Sequence, residues 1–206
     1  MQTKVWAVAL FCWALGTLDV HAQYSREQLE SNKFFMGSSL FMLANLLPEE
    51  SPDFVQLNLG FRVTPKDAIS LELKTWRYFE PLGIPYGEDR ANPEENFPGL
   101  IREHGFALVY QRFWWKGLYT GIHVMSAWQS FLDEGGERFD QGFQIFNTYR
   151  LGYHVQLWNR RFFIEPSIAI THRPIHTEMP ESFRNQDDQW SKFFFGEPGF
   201  HFGVNF

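Results

Sequence analysis

Phe200-His201-Phe202-Gly203-Val204-Asn205-Phe206 closes the chain, with apolar side chains at 200, 202, 204 and 206 and an aromatic as the final residue. Successive side chains of an extended strand point to opposite faces, so this spacing gives one face to an apolar medium and leaves His201, Gly203 and Asn205 on the other. Strands that cross a membrane alternate in this way, lipid-facing against interior-facing. The tail therefore predicts a strand with two unlike environments.

The other end of the chain points the same way. Met1 to Ala22 has Lys4 near its start, an apolar run from Val5 to Leu18, and Val20-His21-Ala22 as a small-x-small cleavage site. These are the parts of a secretory signal peptide, and the run is shorter than the ~20 residues a spanning helix needs. The expected division is a cleaved signal over 1–22 and one domain over 23–206. Cys12, the only cysteine, lies inside the signal. The mature domain thus has no thiol for a disulfide or a thiolate metal site. The net charge of −6 argues against nucleic acid as a partner, because phosphate binding needs a basic surface. No basic run appears along the chain.

Alternation bounded by turn residues marks eight segments, at 34–47, 54–64, 68–80, 101–115, 118–132, 143–158, 162–175 and 193–206. Their connections alternate in length. Pro65-Lys66-Asp67, Lys116-Gly117 and Asn159-Arg160-Arg161 are tight, whereas 81–100, 133–142 and 176–192 are long and rich in Gly, Pro, Asn and acidic residues. Short turns at one end and longer loops at the other are expected of an eight-stranded antiparallel up-and-down transmembrane β-barrel. The long connections are expected to be solvated. In the second segment Leu57, Leu59 and Phe61 oppose Gln56, Asn58 and Arg62; in the sixth Ile145, Tyr149 and Leu151 oppose Gln144, Thr148 and Arg150. The first segment is apolar on both parities, so its register cannot be read from the pattern.

With the polar faces turned inward, the interior collects Arg62, Glu72, Lys74, Arg150, His154, Glu165, Ser167, Glu197 and His201, beside Glu103, Gln111, His123, Gln129, Arg173 and Asn205. An eight-stranded barrel is just wide enough for side chains to fill it, and buried carboxylates there need cationic or hydrogen-bonding partners. A structural polar network is the expected reading. A Phe-x-Glu-Pro pattern recurs at Phe163-Ile164-Glu165-Pro166 and Phe195-Gly196-Glu197-Pro198, and a proline in a strand predicts a bulge or an unpaired carbonyl. Ser167 with His154 or His201 and Glu165 or Glu197 has the residue types of acyl transfer, but no strained nucleophile motif surrounds the serine. On the outward parity, constant register places Asn147 opposite His172, with Ser126 and Ser130 on the fifth segment.

The histidines are scattered without metal-ligand spacing, so neither a metal nor a cofactor is expected. Trp114, Trp115 and Trp158 precede tight turns, where an aromatic girdle would anchor a barrel at the headgroup level. Trp76, Tyr78, Phe79, Tyr86 and Trp128 are candidates for the opposite girdle.

In segment number, parity and tail the chain resembles the small outer-membrane barrels typified by OmpA, OmpX and OmpW, and Tyr110-Gln111-Arg112-Phe113 and Leu151-Gly152-Tyr153-His154 look like pieces of an uncharacterised Gram-negative barrel family. The resemblance implies residence in the outer membrane, contact with its lipid, and Phe206 as a signal read by barrel-assembly machinery. It implies no active site. The function expected is non-enzymatic, through surface-loop binding or a role with an envelope protein partner. The alternatives are a lipid-modifying hydrolase of the outer membrane and a narrow channel for small apolar solutes.

Overall fold

A computed structural model of the chain describes residues 32–46, 52–78, 99–133, 135–187 and 191–206. The signal segment 1–22 and most of the first long loop, with Phe79 and Tyr86, lie outside the described residues.

Among the described residues the strands are β1 (Phe34–Ser39), β2 (Val55–Arg62), β3 (Asp67–Tyr78), β4 (Leu100–Trp115), β5 (Leu118–Leu132), β6 (Arg138–Tyr153), β7 (Val155–Leu157), β8 (Phe162–His176) and β9 (Phe193–Asn205). From β1 to β6 each pairs antiparallel with its neighbour in sequence, β6 and β7 both lie on β8, β8 pairs β9, and β1 pairs β9. The strands thus form a ring. Its chain ends meet where Phe34 and Phe206 exchange two backbone hydrogen bonds of 2.9 Å.

Alternation in the sequence becomes alternation in burial. Along β5, Tyr119, Gly121, His123, Met125, Ala127, Gln129 and Phe131 are buried inside the ring, while Ile122, Val124 and Trp128 face out. Three tight turns, at 63–66, 116–117 and 158–161, fall at one end of the ring with Phe34 and Phe206. Lys116 and Gly117 both have positive φ, the conformation that matches a two-residue hairpin to strand twist. Trp158, Asn159 and Arg160 also have positive φ, which is costly without glycine and persists only where surroundings enforce it. Asn205 does so, donating from its backbone N to Arg161 O (2.8 Å) and from Nδ2 to Arg160 O (2.6 Å).

Four expectations need correction. The first strand stops at Ser39, and Leu40–Leu46 forms a 3₁₀ helix. With apolar residues on both parities this stretch has no face to give the ring. It turns aside instead, and Asn45 fastens it by bonding both the N–H and the C=O of Phe54 (2.8 and 2.7 Å). The sixth strand begins at Arg138 rather than 143, so the second long loop shrinks to 133–137, closed by Gly136 N to Asp133 O (2.9 Å). That strand does not run unbroken to 158. It parts at His154, which lies across the ladder from the Glu165–Pro166 step, where proline has no N–H to donate. Finally, 176–192 is not all solvated loop, because Glu181–Asp187 forms the short helix α1 over the long-loop end of the ring.

The two Phe-x-Glu-Pro prolines behave differently. Around Pro166 the β8–β9 register is continuous, whereas the β9 copy carries a bulge in which Gly196, at positive φ, is skipped between Phe195 and Glu197. Beyond His201, among the described residues, β9 from Phe193 to Phe200 pairs only with β8, because β1 has already ended.

Candidate functional site

The inside of the ring is built in three layers. At the tight-turn end an aromatic floor crosses it: Phe35 meets Phe163 edge-on at 5.9 Å, Phe163 stacks on His154 at 5.0 Å, and His154 meets Phe113, which packs on Tyr119 at 5.7 Å. Three of these rings stand directly across the ladder from a glycine, in the pairs Phe35–Gly60, Tyr119–Gly152 and Phe163–Gly203. A Cβ on Gly60 would lie 1.9 Å from the Phe35 ring, on Gly152 2.5 Å from Tyr119, and on Gly203 2.3 Å from Phe163. Each missing side chain is therefore the slot its partner ring fills. The Arg62 guanidinium lies 5.0 Å from the Phe35 ring centre and 5.8 Å from that of Phe113, and donates to Asn205 Oδ1 at 3.0 Å.

Above the floor lies a polar layer. Glu72 is buried between His123 Nδ1 (3.3 Å) and Lys74 (4.0 Å). Glu165 accepts from Gln111 (3.3 Å) and bonds His154 Nδ1 at 2.7 Å. Arg150 donates to Ser167 Oγ (3.0 Å) and to Glu197 (3.1 Å). Glu103 is held by Trp76 Nε1, Gln129 and Gln144. His201 stands across the ladder from Glu165 on one side and Ser39 on the other. The space left among Gln111, His123, Arg150, Glu165 and His201 is about 20 Å³, room for roughly one water molecule.

The roof is apolar again. Met179 and Phe183, the latter on α1, are buried against Ile101 and Phe131, with Trp76 beside them. Arg173 on β8 clamps α1 through both carboxylate oxygens of Asp187, at 2.6 and 2.7 Å.

All nine of the interior candidates, from Arg62 to His201, thus reach the inside of the ring, and most are joined pairwise. Trp76 also turns inward and takes no part in an outer girdle. Trp114, Trp115 and Trp158 are exposed at the tight-turn end, and Trp128 is exposed near the other. Asn205 and Gly203 were legible as inward-facing, but the glycines' role as slots for the floor rings and Asn205's hold on the 158–161 turn were not. The signal was present, since Gly60 and Gly152 lie on inward parities opposite inward aromatics. The roof was hidden by its setting in a segment that reads as loop.

Ser167 is not placed for attack. Its hydroxyl accepts from Arg150 and donates to Gly199 O (3.2 Å), and among the described residues no histidine hydrogen-bonds it. On the outer face the register does set Asn147 opposite His172, and Ser126 lies one diagonal step away on β5. The imidazole of an acyl-transfer site must stand between hydroxyl and orienting group. Here the amide occupies the middle strand, and His172 is stacked flat on Phe193 at 4.0 Å.

The outer face is strongly apolar. Leu59, Ile69, Leu108, Val124, Leu151 and Ile168, from six different strands, are each between 44% and 65% exposed. Comparison of the sequence with protein-family models and with curated proteins finds no match.

Proposed function

We propose that the chain is an eight-stranded up-and-down transmembrane β-barrel of a bacterial outer membrane, related in architecture to the OmpA, OmpX and OmpW barrels. In this reading β6 and β7 are two parts of one stave. The observation that carries it is the inverted polarity of the ring: charged and amide side chains are buried within, while an apolar belt faces out. A soluble protein rarely exposes so large a contiguous apolar surface, whereas lipid requires one.

The barrel works without catalysis. Aromatic floor, cross-linked polar layer and clamped roof fill it, which favours a closed body over a channel and leaves the external loops as the working surface, for binding at the cell exterior or for holding an envelope protein partner. Surrounding outer-membrane lipid and, during biogenesis, assembly machinery that reads Phe206 are its other expected partners.

Leu108→Arg tests the membrane reading, because a cation at mid-belt costs about 2–4 kcal/mol in a bilayer and almost nothing on a water-facing wall. The expected result is loss of folding into vesicles. Retained folding, or solubility of the wild-type protein without detergent, would refute the barrel. Reconstituted protein should pass no current, and deleting the gene should leave lipid A and phospholipid profiles unchanged. Conductance would revive the channel, and an altered lipid profile the hydrolase.

A further inference from the structure

The fold gathers basic residues that are scattered in the sequence. Lys33 precedes β1, Lys66 lies in the β2–β3 turn, Lys116 in the β4–β5 turn, and Arg160 and Arg161 in the β7–β8 turn. All five belong to the tight-turn end of the ring, and among the described residues none of them forms an ion pair. Among the described residues Asp67 is the acidic side chain at this end. It is consumed locally, by Arg112 at 2.8 Å, Tyr110 at 2.7 Å and Thr64 at 2.5 Å.

The placement of the cations matters as much as their number. They are spread around the circumference rather than bunched, and they keep company with aromatic rings: Lys33 over Phe61 at 5.0 Å, Lys116 over Trp115 at 5.1 Å, with Arg112 over Trp114 at 5.2 Å. Arg160 and Arg161 follow the exposed Trp158 in the turn that Asn205 holds at positive φ. Long cationic side chains beside exposed tryptophans are the groups that settle at a headgroup layer. A compact protein partner would touch one arc of such a rim; a lipid leaflet touches all of it.

We infer that this rim is a phosphate-binding collar for anionic phospholipid headgroups of the leaflet facing the tight turns. The inference rests on the barrel reading. Each Lys or Arg near an anionic surface adds attraction that falls off within a Debye length, so the collar should be sensitive to salt.

The test is the folding equilibrium of wild type and a K66Q/K116Q/R160Q/R161Q variant in vesicles of phosphatidylcholine and in vesicles containing phosphatidylglycerol. The quantity read is the effect of the four substitutions in anionic vesicles divided by their effect in neutral ones, which cancels any repulsion of the acidic loops. At low salt the substitutions should weaken folding on the order of tenfold more in anionic vesicles, and high salt should erase the difference. Equal effects in the two lipids would overturn the collar and leave the barrel standing. Failure of wild type to insert into either vesicle would overturn both. Salt-sensitive retention on peptidoglycan, lost in the variant while the vesicle ratio stays at one, would assign the rim to a wall polymer instead.

Discussion

Gly60, Gly152 and Gly203 matter for the volume they leave empty. Gly60→Ala should destabilise the protein by about 1–3 kcal/mol, since the methyl group and the Phe35 ring claim one space. Phe35→Leu in the same chain should return part of that loss, a coupling that a double-mutant cycle in urea would measure. Independent, additive effects would mean that the ring does not use the slot. The polar layer invites a second test. Arg150→Met leaves Glu197 and Ser167 Oγ without their shared donor and should cost roughly 3 kcal/mol, whereas Ser167→Ala should cost no more than about 1 and leave lipid composition untouched. These residues were legible as an inward set because parity alone assigns a face. Their partners were not, since pairing depends on register across strands far apart in sequence, as in Gln111 with Glu165 or Glu103 with Gln144.

At the scale of elements, the sequence was most readable where one periodicity ruled. β5, with unbroken alternation, begins and ends where the pattern places it. The first strand ends short of the expected 34–47 because Leu40–Leu46 satisfies neither parity, and a segment without a face is free to leave the sheet. Cutting the Asn45 fastening with Asn45→Ala strips two backbone groups of Phe54 of their partner, with an expected loss of about 1–3 kcal/mol of stability, read from the shift of the urea midpoint. The helix α1 is hidden in the sequence because its composition is that of a loop. Its place rests on two apolar side chains and one clamp. Asp187→Asn should loosen it, and limited proteolysis of intact protein should then cut within 177–192 faster than in wild type while the strands stay protected. Unchanged cleavage would show that Met179 and Phe183 suffice.

For the molecule as a whole, the antiparallel order and the end at which the tight turns gather were implicit in turn parity, and the ring follows once β1 pairs β9. What parity could not supply was the completeness of closure. From Phe35 to Ser39 the wall is sealed against β9, yet from Phe193 to Phe200 the edge of β9 faces no strand among the described residues. The bulge at Gly196 and the missing donor of Pro198 sit on this open stretch, both features that discourage an unrelated strand from docking. The ring accordingly has a weak meridian. Whatever strips or stretches the wall should part it along this line first, and the last stitch of assembly should be drawn there too. A cystine bridging Met36→Cys and Val204→Cys, which are cross-ladder partners, should raise the temperature at which the protein loses its folded mobility on gels far more than one joining Leu108→Cys and Val124→Cys within the long β4–β5 pairing. The short first strand is in that sense a latch, and the seven residues that leave the sheet after it decide how firmly the door is held.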